Sequence, residues 1–256
     1  ETMTAPITIF TARRVLTMDP ARPAAPRVAV RDGRILAVGG PAEMADLGPA
    51  TTDDRFADKV ILPGFVEGHS HLHEGAAWRD PYLGFFDRRD PNGRVWPGLK
   101  SIEEVILRLQ EVAAERPDGS ITAWGFDPIY FGGRRMEQGD LDRVSTDRPV
   151  VITHASGHIM NLNGVAIATA GFDRANDLDG LVRGADGKPT GEILGPDLMG
   201  RVRRLVVPDM FSRTLDAGAM ERFGRLARQA GVTTATDLVS DMSDATVATY
   251  RAARNA

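Results

Sequence analysis

The sequence predicts a mixed α/β protein, β-rich at its start and alternating between strands and helices after it. Three observations predict this. An Asp32-Gly33 pair stands between two apolar runs, RVAV (27–30) and RILAV (34–38). D-G supplies the two positive-φ positions of a tight hairpin turn, so these runs read as antiparallel strands. Ile102, Val105, Ile106, Leu109 and Val112 recur at helical spacing. Near the end, an amphipathic run over 215–230 stops at Gly231 and passes at once into the β-branched stretch 232–239.

In chain order, Ile7 to Val15 reads as a first strand, followed by the hairpin and a short helix at 41–47. Lys59 to Leu62 reads as another strand, and Pro63-Gly64 breaks it before Phe65 to His73. Residues 75–98 mix Gly, Pro, Asp and Arg with Trp78, Tyr82, Phe85, Phe86 and Trp96, which reads as a long structured loop. Ser101 and Glu104 form an S-x-x-E capping box at the start of the 102–112 helix. Ile121–Trp124 and Val150–Thr153 read as strands, Val165–Ala170 as a helix stopped by Gly171, and Leu178–Glu192 as turns or a small hairpin. The amphipathic helix of 215–230 buries Leu215, Ala219, Met220, Phe223 and Leu226, and a last helix starts near Ser243.

Composition excludes several classes. The 256 residues hold 31 Lys plus Arg against 35 Asp plus Glu, a net charge of −4, which argues against a nucleic-acid partner. There is no cysteine, so disulfides, Cys-ligated metals and cysteine nucleophiles are ruled out. No apolar run approaches ~18 residues, and the start lacks the pattern of a signal peptide. The expectation is a cytoplasmic protein without a membrane partner.

Three of the five histidines are His69, His71 and His73. On a strand, residues i and i+2 share a face, so His69 and His71 set two imidazoles side by side, a geometry suited to a divalent metal. Chance would give such a pair ~0.1 times in this composition, so the spacing carries information but is not proof. The bland alternative is a solvated strand end. The pair sits where an apolar strand ends, and in β/α barrels chemistry sits at that end.

The segment Leu62-Pro63-Gly64-Phe65-Val66-Glu67-Gly68-His69-Ser70-His71 resembles the signature of the amidohydrolase superfamily. Four further segments resemble its amidohydrolase-3 (YtcJ-like) branch: Ala123–Asp127, Asp140–Asp142 with Asp147–Val150, Gly157-His158 with Asn163, and Pro189–Glu192. Ala230–Thr234 resembles the start of that family's second barrel strand. The resemblance implies the N-terminal part of a β-sandwich over 1–60, a first barrel strand with the metal motif over 61–74, a large insertion over 75–213, and the start of the remaining (β/α)8, TIM-like barrel over 214–256. It implies a hydrolase of C–N bonds in amides, cyclic amides or formamides that uses metal-activated water. Its cofactor would be one or two divalent ions, Zn first among them, with His69 and His71 as ligands.

By the same resemblance His158 faces the pocket and meets the substrate carbonyl or oxyanion. Trp124 and Phe126 are read as walls of that pocket or, as buried aromatics more often are, as core packing, and His73, which has no family counterpart, is placed with the substrate-binding residues. Glu67 shares the strand face of the histidines. It is read as a carboxylate that orients a ligand, or equally as a structural hydrogen-bond acceptor. Asp127 reads as an Asx-turn residue before Pro128, and Asp237 as a strand-end acceptor.

The family's remaining ligands are a carboxylated lysine, two later histidines and a late aspartate that serves as base. No histidine follows His158, and the lysines are Lys59, Lys100 and Lys188, none on a later barrel strand. The general base is therefore expected beyond residue 256, as is the carboxylated lysine. The expected partners are the missing C-terminal half of the barrel and a small amide-type substrate, with a homodimer admitted. This chain alone is expected to be inactive. The alternative is a catalytically inactive amidohydrolase-derived fragment that acts as a binding or structural module.

Overall fold

The computed structural model describes residues 5–72, 74–175, 178–208, 216–238 and 243–254. The chain divides into two compact units, Glu1–Val66 and Glu67–Ala256.

The first unit is built on one sheet. Its strands are β1 (Ile7–Leu16), β2 (Ala24–Arg31), β3 (Arg34–Gly39) and β4 (Ala50–Ile61), with helix α1 (Pro41–Ala45) between the last two. The order is β3-β2-β1-β4, antiparallel except for the parallel β1–β4 pair. The hairpin forms where D-G predicts it: Asp32 and Gly33 both have positive φ, 51° and 70°. Alternation along β1 gives each face its own core, with Ile7 and Ile9 meeting Ala29 and Met44 on one side. Ala12 and Val15 meet Ala25 and Val28 on the other. The strand expected at 59–62 is longer, because Thr51 and Thr52 extend its β-branched character back to residue 50.

The second unit begins within β5 (Phe65–Ser70), which pairs with β13 (Val232–Asp237) in a two-stranded sheet. The predicted loop after β5 carries α2 (Glu74–Ala77) and a two-stranded ribbon, β6 (Arg88–Arg89) with β7 (Val95–Trp96). Helix α3 (Ile102–Glu115) follows, then β8 (Ile121–Phe126), a 3-10 turn (Pro128–Phe131), α4 (Gln138–Asp142), β9 (Val150–His154), β10 (Ile159–Leu162) and α5 (Gly164–Ala170). Next come β11 (Leu181–Arg183), β12 (Pro189–Leu194), α6 (Pro196–Leu205), α7 (Ala217–Gln229) and, after β13, α8 (Asp244–Arg254).

The region between β5 and α7 has its own five-stranded sheet, ordered β11-β12-β10-β9-β8, with β8–β9 parallel and the other pairs antiparallel. Helices cover both faces. Val105, Ile106 and Leu109 of α3 pack with Ile121, Ala123, Val150 and Ile152. Ala166 and Ile167 of α5, and Leu198 and Val202 of α6, pack with Val151, Met160, Leu162 and Ile193. The five apolar residues predicted for the α3 face are all buried, and each fully buried Leu, Ile or Val side chain is worth roughly 1.5–3 kcal/mol.

The capping box at α3 is modified. Ser101 Oγ accepts from the Glu104 amide as expected, at 3.2 Å. The Glu104 carboxylate reaches one residue further back and accepts from the Lys100 amide at 2.7 Å. Sequence reasoning did not find β10, α4 or α6. The last two start at Gln138 and Pro196 without a Ser, Thr, Asp or Asn immediately before them. Among the described residues, no helix is long and apolar enough to cross a membrane.

Candidate metal centre and adjoining cavity

The end of β5 carries the predicted pair. His69 and His71 project from one face, with ring centroids 5.0 Å apart and the rings nearly perpendicular. Their Nε2 atoms stand 3.2 Å apart. A tetrahedral metal held by two imidazoles at ≈ 2.0–2.1 Å would set those nitrogens about 3.3–3.4 Å apart. The pair is therefore spaced to serve as two neighbouring ligands, and the same distance lets the neutral rings share a hydrogen bond. Among the described residues, no group of three or more His, Asp or Glu side chains is placed to hold a metal ion. Among the described residues no third side chain joins the pair.

The strand end is fastened by its neighbour. Ser70 Oγ donates to the Thr236 carbonyl at 3.0 Å. Asp237 Oδ2 accepts from the Leu72 amide at 3.3 Å and from the Tyr250 hydroxyl at 3.1 Å. Asp237 Oδ1 lies 3.8 Å from His71 Nδ1. Asp237 is thus the acceptor the sequence suggested, and its other oxygen stands beside the His71 ring. Glu67 Oε1 accepts from the His69 amide at 3.1 Å. Among the described residues its carboxylate bonds to neither imidazole, which is the structural alternative of the two readings. His73 lies outside the described residues.

A cavity of about 690 Å³ opens next to this strand end within the second unit. His71, Glu74, Trp78, Trp124, His154 and Arg203 are among its lining. Trp124 lines this cavity, edge-on to Trp78 with centroids 5.0 Å apart. Phe126 takes the other of its two readings, core packing. It is fully buried in the core, with its ring against Phe131 and His154, because the β8–β9 register shifts between Trp124 and Phe126, at positive-φ Gly125, and breaks the alternation that would set both on one face. His158 is exposed, on the turn between β9 and β10, and is not part of the cavity wall. Asp127 makes the expected Asx turn, accepting from the Ile129 amide at 3.1 Å.

Besides His71, the wall holds His154, to which the sequence analysis assigned no role. Its Nε2 meets Asn161 Oδ1, and the Asn161 amide group donates to the Met136 carbonyl at 2.7 Å. Burial holds the imidazole below its ordinary proton affinity, opposed by the Asn161 hydrogen bond and by the charges of Glu192 and Asp127. The neutral ring is therefore the resting form. The signal that marks His69 and His71, a histidine at the end of an apolar strand, also marks His154 at the end of Val150-Val151-Ile152-Thr153.

Comparison with known proteins agrees with this picture. The profile described as "Amidohydrolase family" (amidohydrolase-3) matches residues 57–256. Protein LONG AFTER FAR-RED 3 of Arabidopsis thaliana is 26% identical over 237 residues, covering 90% of this chain and 38% of that protein. The N-substituted formamide deformylase of Arthrobacter pascens is 27% identical over 188 residues, covering 70% of this chain and 32% of that one. The chain thus spans about two fifths or less of the length of these relatives. Among solved structures, a metal-dependent hydrolase from Pyrococcus horikoshii OT3 superposes with a TM-score of 0.53 at 18% identity, over 90% of this chain and 42% of that one. That likeness extends to the fold.

Proposed function

The chain belongs to the amidohydrolase family, and on that premise we propose that it carries the first two metal ligands of a hydrolase acting on amide, cyclic amide or formamide C–N bonds. The observation that carries the reading is the 3.2 Å approach of His69 Nε2 and His71 Nε2 at the end of β5. A bound divalent ion, with Zn the first candidate, would supply an activated water and polarise the scissile carbonyl. His69 and His71 hold two of its positions. Asp237 fastens the strand end that presents them. Trp78 and Trp124 wall the cavity beside that strand end and exclude water from one side.

The reading places the remaining ligands and the general base on the rest of the barrel. The exposed side chains of Thr233 to Thr236 on β13 support it, since a barrel strand carries helices on its outer face and layered side chains within. The N-substituted formamide deformylase of Arthrobacter pascens lends the C–N substrate class.

The test is metal content of the full-length protein after dialysis, with and without the substitutions His69→Ala and His71→Ala. Loss of bound metal in the variants is expected, with loss of turnover in a screen of amides and formamides supplemented with Zn, Co or Mn. Metal content unchanged by both substitutions overturns the ligand assignment. Full metal content without turnover of any C–N substrate favours the binding-module alternative.

A further inference from the structure

One group in the wall of the 690 Å³ cavity is aimed from behind. His154, at the end of β9, is 3% exposed and lines the cavity. Its Nε2 meets Asn161 Oδ1. The Asn161 amide cannot turn over without losing a bond, because its Nδ2 donates to the Met136 carbonyl at 2.7 Å. Its oxygen is thereby held toward the ring, and that oxygen can only accept. The hydrogen of the neutral imidazole is therefore assigned to Nε2, and Nδ1 carries a bare lone pair. Among the described residues no donor reaches Nδ1, and it is not one of the unpartnered atoms sealed from solvent. The lone pair opens on the cavity that the ring lines.

The carboxylates of the wall are placed differently. Asp80 accepts from Thr122 Oγ1 at 2.7 Å and pairs with Arg116 at 3.7 Å. Glu74 and Asp118 are exposed to solvent, where water satisfies them. His154 is a neutral acceptor, almost out of water, with a fixed direction. Burial keeps it neutral against the Asn161 bond and the charges of Glu192 and Asp127. An acceptor in that setting is satisfied by a ligand donor, and a ligand that offers another acceptor or a methyl group leaves it unpaired. Trp78, Ala77, Ala155 and Val207 add apolar surface to the same cavity.

We propose that the cavity takes a neutral ligand bearing an N–H or O–H group on an aromatic ring, with His154 Nδ1 accepting that hydrogen and the ring packed against Trp78. His154 is then a specificity residue, and Asn161 is the positioning residue that sets which of its nitrogens faces the ligand. That this ligand is the substrate rests on the hydrolase reading; the binding step itself does not need it.

The test is calorimetric titration of the full-length protein with phenol and with indole, each against its methylated counterpart, anisole and 1-methylindole. A donor ligand is expected to bind at least about tenfold more tightly than its counterpart. A preference shown with phenol alone or with indole alone supports the acceptor and tells hydroxyl from N–H recognition. Nitrogen-15 spectra of histidine-labelled protein supply a second readout. The free protein should show His154 protonated at Nε2 and bare at Nδ1, and the Nδ1 resonance should move with the donor ligand and stay put with the methylated one. His154→Phe fills similar space against Phe126 and should level the affinities; if it fails to fold, the spectra of the unsubstituted protein decide. A ring protonated at Nδ1 in the free protein, equal affinities within both pairs, no binding of any of the four ligands, or a preference that survives in folded His154→Phe overturns the proposal. No turnover is required. The preference without hydrolysis of any amide counts against the hydrolase reading alone, whereas hydrolysis without the preference counts against this inference alone.

Discussion

Asp237 and His71 face each other across the β5–β13 pair, with Asp237 Oδ1 3.8 Å from His71 Nδ1, while the other carboxylate oxygen accepts from the Leu72 amide and the Tyr250 hydroxyl. One side chain thereby ties the end of β5, the end of β13 and helix α8 together. Asp237→Ala removes the acceptor that the Leu72 amide and the Tyr250 hydroxyl share and should destabilise the second unit by about 1–3 kcal/mol. Asp237→Asn keeps an acceptor oxygen for the same donors and should cost less than half of that. Urea unfolding of the three proteins reads the difference. Equal losses in both variants would show that charge, not hydrogen bonding, holds the strand end.

Asn163 uses its whole side-chain amide. Its oxygen accepts from the Val150 amide at 2.9 Å and the Ala166 amide at 3.0 Å, and its nitrogen donates to the Ser145 and Arg148 carbonyls, both at 2.8 Å. It caps α5, starts β9 and closes the turn before that strand. Asn163→Ala strands four buried or half-buried groups, and about 3 kcal/mol or more should be lost. Asn163→Asp keeps the acceptor but turns an oxygen onto the Ser145 and Arg148 carbonyls in place of the donor, so a loss at least as large is expected at neutral pH. Thermal unfolding followed by circular dichroism decides it: a change below about 1 kcal/mol for the alanine variant would refute the clamp.

Gly75 lets α2 lie directly on α7. A Cβ at this position would run into the Ala219 carbonyl oxygen and sit 2.8 Å from the Phe223 amide nitrogen, both of them backbone atoms. Gly75→Ala should therefore force the two helices apart and cost at least about 1–3 kcal/mol. It should also disturb the Arg222 guanidinium, which donates to the Gly75 carbonyl at 2.7 Å. A Gly139→Ala control on α4, where nothing lies near the added methyl, should be close to neutral. Similar losses in both variants would place the effect in helix propensity instead.

Much of the frame was legible because local rules and tertiary packing agree in it. The D-G turn, the buried face of α3 and the alternation of the His69–His71 pair each follow from residues near in sequence. What was not legible depends on residues far apart. His154, Asn161 and Glu192 stand on adjacent strands whose pairing sets Asn161 opposite both Ile152 and Glu192, and no local period announces it. His158 looked like a pocket residue because it shares a short motif with Asn163. The structure assigns Asn163 to packing and leaves His158 on the surface.

His154 gives the second unit a pH dependence whose sign is fixed by its burial. The ring is only 3% exposed, and burial lowers its proton affinity below the ordinary value of 6.5 more than Asn161, Glu192 and Asp127 raise it. Arg135, which pairs with the Glu192 carboxylate, pushes in the same direction as burial. At neutral pH the imidazole is uncharged in both the folded and unfolded chain, so it makes no pH-dependent contribution. As pH falls below about 6.5, the unfolded chain takes up a proton that the folded chain resists, and stability declines. His154→Gln keeps a group that can bond to Asn161 but does not titrate. The variant should be less stable than the natural sequence at pH 7.5, and the gap should narrow as the pH drops toward 5. Denaturant unfolding of both proteins at the two pH values measures this. A gap that widens on acidification would mean that the folded protein prefers the charged ring, contrary to its burial.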